Sequence, residues 1–205
     1  MTSPTMDEDG SMRAPVQVLH PLRLERERTS ILGMVIFIGS WVMLFMALFF
    51  VFAMFRAKEP VWPPFGVEAV PLGLPILNTF IIALSSVLLH RGIRDFAADQ
   101  RSKALWGIGA AAALGALFMG LQIQLWSSVW ASGLELSTHL YASFFYGLTA
   151  VHAVHVLVGW ALLIWLVAMV RGVPQVNHAL RARLIGMFWH FVGAVWMALF
   201  LLVFP

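Results

Sequence analysis

Two histidines lie three residues apart near the middle of a long apolar segment that runs from residue 141 to residue 171. Residues three apart are neighbours on a helix surface, so His152 and His155 present their rings on one face. An imidazole surrounded by hydrocarbon is costly unless the protein itself satisfies its nitrogens. The pair therefore indicates either ligation of a haem or a metal, or contacts that hold helices and lipids together.

The composition indicates that this chain resides in a membrane. Of its residues, 60% are hydrophobic and only 11% are charged, and the mean hydropathy is +0.85. Soluble domains carry roughly a quarter charged residues. Cysteine is absent, so disulfides and thiolate metal sites are excluded. The pI of about 10.0 does not indicate nucleic-acid binding, because the basic residues cluster in short segments beside apolar runs.

Five segments have the length and apolarity needed to cross a bilayer core of about 30 Å. We predict an all-α integral membrane bundle over residues 30–205, preceded by a flexible cytoplasmic tail over 1–29. The predicted spans are about 31–55, 70–89, 104–129, 140–170 and 184–204. Eleven of the thirteen Lys and Arg residues fall on one side, which the positive-inside rule makes cytoplasmic. The N-terminus is then cytoplasmic and the C-terminus periplasmic.

Small and aromatic residues in the spans indicate packing and interfaces. The third span carries four glycines, which we interpret as contact surfaces where a neighbouring backbone approaches closely: Gly107, Gly109, Gly115 and Gly120. Trp126, Trp130 and Tyr141 are predicted to lie at the external interface as part of an aromatic belt.

Polar residues at membrane depth are few, and none of them is acidic. No Asp or Glu falls inside any predicted span. Proton pumps and ion-coupled transporters use ionisable side chains at that depth. The sequence therefore argues against a chain that conducts protons through its own helices.

The histidines do not form a convincing haem or metal site by depth. His190 lies roughly 10 Å from the cytoplasmic end of its span, His155 lies roughly 23 Å from that side, and His90 is at the membrane edge. A three-histidine metal site of His152, His155 and His190 has the right residue type but not matching depths. We expect no catalytic residue and no metal site. We interpret the histidines as structural, hydrogen-bonded across helices to Ser, Thr, Gln or backbone carbonyls, and Asn78 and Gln122 as structural polar residues.

Five sequence blocks, in order, resemble those of a known family. They are ILGMVIFIGSWVMLFMALFF from Ile31, LPILNTFIIALSS from Leu74, LGALFMGLQIQLW from Leu114, FFYGLTAVHAVHVLVG from Phe144 and FWHFVGAVWMALF from Phe188. On these blocks the chain resembles subunit III of the haem–copper cytochrome c oxidases, in its short five-helix form.

The resemblance implies an accessory role and not an enzyme in its own right. It implies that the haems and copper belong to partner subunits I and II, and that this chain packs on subunit I of a proton-pumping terminal oxidase. It further implies a V-shaped arrangement of helices with a cleft for structural phospholipids, and support of stable turnover in aerobic respiration. The implied location is the bacterial cytoplasmic membrane. The electron donor, the haem type of the partner and membership of a respiratory supercomplex stay open.

The sequence departs from the family pattern where the family usually has buried carboxylates. Trp41 stands where a glutamate usually follows Gly-Ser, and Leu125 replaces the glutamate three residues after Gln122. Gly193 replaces the aspartate after His-Phe-Val, and Leu88 replaces a threonine after the paired serines. The resemblance is therefore to a divergent member.

Three arginines at predicted cytoplasmic helix ends are candidates for contact with phospholipid head groups: Arg91, Arg94 and Arg171. The alternative is that they only set topology. Two other functions also stay open at this point. One is a five-span membrane anchor carrying b haems, and the other is a relative of subunit III associated with a nitric oxide reductase.

Overall fold

The computed structural model describes residues 19–61, 70–133, 140–172 and 178–204. These residues form five α-helices and no strand: α1 Leu19–Lys58, α2 Gly73–Ala97, α3 Arg101–Ala131, α4 Leu140–Arg171 and α5 His178–Val203. All five helices are long and apolar enough to cross a membrane. The predicted all-α class with five spans is confirmed. The orientation, the V-shaped arrangement and the lipid cleft stay predictions.

The helices extend beyond the apolar segments from which they were predicted. The second span was predicted to end at 89, but α2 continues to Ala97 and carries Arg91 and Arg94 on its last turns. Hydropathy registers only the part of a helix that lies in hydrocarbon, whereas backbone hydrogen bonding continues into the interface. At the other end of the chain α1 begins at Leu19, within the predicted tail. The tail before Leu19 lies outside the described residues, and its flexibility stays a prediction.

A short connection joins α2 to α3. Only residues 98–100 separate the two helices. Asp99 adopts a left-handed conformation with φ 59°, which aspartate reaches more readily than most residues. The Gln100 amide donates to the Asp95 carbonyl at 2.8 Å. This tight turn makes α2 and α3 antiparallel neighbours.

The chain divides into two units between Ser40 and Trp41. In the described part of the first unit, apolar side chains of α1 such as Leu32 and Ile36 are exposed. In the second unit α2 packs against α3, α3 against α4, α4 against α5, and α5 against α2. The part of α1 that belongs to this unit contacts the bundle through aromatic rings, for example Phe52 with Phe144 at 5.7 Å.

Only some of the glycines on α3 serve close packing. A Cβ at Gly107 would lie 3.0 Å from the Cα of Gly92 on α2, and one at Gly115 would lie 2.8 Å from Cη2 of Trp189. Gly109 and Gly120 have nothing within 4 Å of that position. The interpretation of these glycines as contact surfaces therefore holds for Gly107 and Gly115 but, among the described residues, not for Gly109 and Gly120, since residues two or five apart point to different sides of a helix.

Candidate functional site

His152 lies in an aromatic enclosure at the centre of the second unit. The side chain is 1% exposed. Its ring centroid lies 5.5 Å from that of Trp196, 6.2 Å from that of Phe118 and 6.5 Å from that of Phe45. Neither ring nitrogen has a hydrogen-bond partner among the described residues. The cross-helix hydrogen bond expected for His152 is therefore not formed there, and packing against rings from three other helices takes its place.

His155 makes its hydrogen bond within its own helix. Its Nδ1 donates to the Val151 carbonyl oxygen at 2.7 Å, because a carbonyl can only accept. Its ring meets Trp41 edge to face, with 4.2 Å between centroids and 81° between planes, and lies 5.2 Å from the ring of Phe45. Such edge-to-face contacts are favourable for aromatic pairs. His155 thus links α1 to α4 by ring packing, where a cross-helix hydrogen bond was expected.

His190 lies next to His90, although the depths estimated from the sequence did not place these two histidines at the same level. Its ring centroid lies 6.1 Å from that of His90 on α2, with 53° between the planes. The pairing arises because α5 packs against α2 as well as against α4. Among the described residues, no group of three or more His, Cys, Asp or Glu side chains is arranged so that it could hold a metal ion. The structure does not assemble the three-histidine site considered from the sequence.

A cavity of about 380 Å³ opens beside the His90–His190 pair. It is lined by Ser86, Val87, His90, Arg91, Arg94 and His190. Two of the three arginines predicted as head-group ligands therefore share one cavity. Arg171 is exposed at the end of α4 and is not among the lining residues.

Asn78 and Gln122 form the amide contact between α2 and α3. Asn78 Nδ2 donates to Gln122 Oε1 at 3.3 Å, and both side chains are buried. In the described part of the chain, Asn78 Oδ1 and Gln122 Nε2 have no hydrogen-bond partner. The pair joins two helices at membrane depth, which is the arrangement expected of a structural contact.

Among the described residues, tryptophan side chains donate several of the other hydrogen bonds between helices. Trp189 donates to Ser85 Oγ at 3.2 Å, and Ser85 donates in turn to the Ala111 carbonyl at 2.9 Å. Trp196 donates to Thr79 Oγ1 at 3.0 Å, and Trp160 donates to a backbone carbonyl of α3 at 2.9 Å.

These tryptophan donors were not predicted from the sequence. Trp126, predicted only as an interfacial residue, also donates to Thr149 Oγ1 at 3.1 Å. A signal was present, because an indole N–H in the middle of a span must find an acceptor inside the protein.

Two arginines hold the carboxyl-terminal ends of other helices. Arg101 at the start of α3 donates to the Val170 carbonyl at 2.6 Å and to the carbonyl of Gly172, at the end of α4. Arg56 donates to the Leu202 carbonyl of α5 at 2.8 Å. The last carbonyls of a helix have no partner within it and carry partial negative charge. These basic residues therefore stabilise helix ends in addition to any effect on orientation.

The positions where carboxylates were expected from the resemblance are occupied without charge. Trp41 packs on the ring of His155, and Leu125 is fully buried. Gly193 faces α2, where a Cβ would lie 3.3 Å from Ser86 Oγ. Apolar packing or an absent side chain replaces each usual acidic group.

Comparison with known proteins agrees with this architecture. The family described as cytochrome c oxidase subunit III matches residues 12–205. The chain is 32% identical over 177 residues to cytochrome c oxidase subunit 3 of Synechocystis sp., which covers 84% of this chain and 73% of that protein. It is also 32% identical over 179 residues to the subunit 3 of Thermostichus vulcanus, covering 85% and 86% of the two chains. The subunit 3 of Locusta migratoria is 29% identical, covering 84% and 67%. With five membrane-length helices and this match along nearly its whole length, the chain belongs to the cytochrome c oxidase subunit III family.

Proposed function

We propose that this chain is a non-catalytic subunit that packs on subunit I of a haem–copper oxidase in a bacterial cytoplasmic membrane. The haems and copper are held by subunits I and II, and this subunit supports stable turnover of the oxidase. The observation that carries the proposal is that polar side chains inside the predicted spans hydrogen-bond to other helices of the same chain. Asn78 with Gln122, Trp189 with Ser85 and Trp196 with Thr79 all join one helix to another. Neutral contacts of this kind stabilise a bundle.

The outer surface of the second unit supports association within the membrane. Large apolar side chains on several helices are exposed, among them Met43, Phe50, Phe80 and Trp106. Such surfaces suit lipid tails or the helices of another membrane protein. In our proposal phospholipids and subunit I share this surface.

The histidines have a positioning role in this proposal. His155 fills the space between Trp41 and Phe45 and bonds to its own helix. Replacing it with alanine removes these ring contacts. We expect the His155→Ala variant to lower the yield of assembled oxidase, while the haem absorbance per assembled complex stays unchanged.

A neighbouring residue provides the matched control. Val154 precedes His155 on α4 and is exposed, so Val154→Ala is expected to assemble as the wild type does. An assembled His155→Ala complex that has lost a haem signal would refute the positioning role. A Soret band stoichiometric with the isolated chain would favour a haem-carrying anchor instead.

Purification in mild detergent tests the partner. We expect the chain to co-purify with a haem–copper subunit and with a partner that shows copper A absorbance. Co-purification with a nitric oxide reductase that lacks copper A would contradict the proposed complex.

A further inference from the structure

The cavity beside His90 and His190 brings together imidazole, guanidinium and hydroxyl groups from two helices. The two imidazoles face each other from α2 and α5, with 6.1 Å between ring centroids. Arg91 and Arg94 line the same cavity from the last turns of α2, and Ser86 contributes a hydroxyl. Its volume of about 380 Å³ lies within the range of small-ligand pockets.

We propose that this cavity binds a phosphate group, as the free ion or as a phosphate ester. Guanidinium groups stay charged at all physiological pH values and match the geometry of phosphate oxygens. An imidazole N–H and a serine hydroxyl are further donors. None of the six lining residues carries a carboxylate, so the wall presents donors and positive charge to an anion.

The two arginines have unused hydrogen-bonding capacity. Within the described ranges, the side chains of Arg91 and Arg94 form no hydrogen bond or ion pair with another residue. Asp95 lines a separate cavity of about 230 Å³ together with Arg91, and it does not line this one. The guanidinium groups are thus available to an external anion.

A divalent metal fits this site less well. Zinc takes three or four protein ligands in most sites, whereas the cavity offers two histidines and no carboxylate. The positive charges of Arg91 and Arg94 in the same wall would also repel a metal cation. An anion is the better occupant on both counts.

The depth of the site admits two sources of phosphate. His90 lies seven residues before the end of α2 at Ala97, or about 10 Å along the axis, and Arg91 and Arg94 are nearer that end. Both the head group of a phospholipid and a soluble phosphate can reach this level. The site rests on the lipid-binding part of the proposed function and deepens it by naming the residues.

Binding is tested on the purified full chain in dodecyl maltoside. Native mass spectrometry measures retention of phosphatidylglycerol, and isothermal titration measures affinity for inorganic phosphate. Loss of a charge-assisted contact is expected to weaken binding by roughly tenfold or more in Arg94→Gln and in His90→Ala. Arg183→Gln is the matched control, because Arg183 is exposed on α5 and does not line the cavity.

A second pair of variants separates charge from fold. Gly193 faces Ser86 across the α2–α5 contact. Gly193→Asp places a carboxylate beside the cavity and is expected to weaken anion binding, whereas Gly193→Asn adds similar bulk without charge and is expected to weaken it far less. Equal effects of these two variants would contradict the electrostatic basis of the proposal.

The outcomes identify the source of the phosphate. Phosphatidylglycerol retention that depends on Arg94 and His90 supports the lipid source, and phosphate titration with the same dependence supports the soluble source. The proposal is overturned if both signals are absent, if Arg183→Gln reduces them equally, or if Zn²⁺ alone binds at the histidine pair in place of phosphate. Because the chain is tested alone, failure here leaves its association with subunit I to be judged separately by co-purification.

Discussion

Replacing Gly107 with alanine tests how closely α2 and α3 must approach. A Cβ at this position would lie 3.0 Å from the Cα of Gly92 and 3.1 Å from the carbonyl oxygen of Leu88. Both are backbone atoms, so no side-chain rotation can relieve the contact. Gly109, two residues further along the same helix, has nothing within 4 Å of its Cβ position. It is therefore the matched control.

The expected magnitude follows from the distances. Carbon atoms pack best at about 3.5–4.0 Å, so the two helices must separate by about 0.5–1 Å to accept the Gly107→Ala methyl group. Overpacking of this kind costs about 1–3 kcal/mol. The Ser85–Ala111 and Asn78–Gln122 hydrogen bonds cross the same α2–α3 contact, and they lengthen when the helices separate. Gly109→Ala meets no neighbour and gains up to about 1 kcal/mol of helix propensity.

Stability is measured on the purified chain in dodecyl maltoside by titration with sodium dodecyl sulfate, following the fluorescence of its nine tryptophans. We expect the unfolding midpoint of Gly107→Ala to fall below that of the wild type. The midpoint of Gly109→Ala is expected to equal or exceed it. Gly92→Ala, whose Cβ would lie 2.9 Å from the backbone nitrogen of Ile108, is expected to behave like Gly107→Ala.

Two results would refute this reasoning. One is a Gly107→Ala variant as stable as Gly109→Ala, which would mean that the helices separate at no cost. The other is an equal loss in both variants, which would mean that glycine is required on α3 for a reason other than contact with α2.

Two further predictions concern a helix end and a buried ring. Arg101→Gln is expected to lose about 1.5–3 kcal/mol of stability, since it removes charged hydrogen bonds to the Val170 and Gly172 carbonyls. Lys103 is exposed on the same turn, so Lys103→Gln is expected to lose little. Equal losses of the two variants in the detergent titration would argue against a capping role for Arg101. His152→Leu is expected to keep or raise stability by up to about 2 kcal/mol, because the imidazole nitrogens it removes have no partner among the described residues. A clear loss of stability would contradict this, and would mean that the ring contacts of His152 outweigh the cost of its unsatisfied nitrogens.

The extent of the helices shows what hydropathy can predict. Five spans were predicted and five helices are present in the described residues. Their ends were misplaced because Arg91 and Arg94, read as part of a connection, extend α2 as helical residues. A charged residue ends the hydrocarbon segment without ending the helix.

The candidate site was predicted only in part. Asn78, Gln122 and the α4 histidines were identified as buried polar groups, and they are buried. No partner was predicted for Asn78 or Gln122, and the cross-helix hydrogen bonds predicted for His152 and His155 are not among the described contacts. His152 lies among rings where a hydrogen bond was expected, and His190 meets His90 across α2 and α5. Contacts of this kind depend on which helices are neighbours and on how each is rotated, and neither quantity is contained in a list of residue depths.

By itself, the sequence determined that the chain resides in a membrane, how many spans it has and which polar groups lie inside them. The reason is that the free energy of transfer from water to hydrocarbon depends on each residue and not on its distant neighbours. Only the tertiary structure decided that Gly107 but not Gly109 touches another backbone, that tryptophans donate to Ser85 and Thr79, and that two histidines and two arginines surround one cavity. The physical reason is that close packing and hydrogen bonding act over a few ångströms, between residues that the order of the chain leaves far apart.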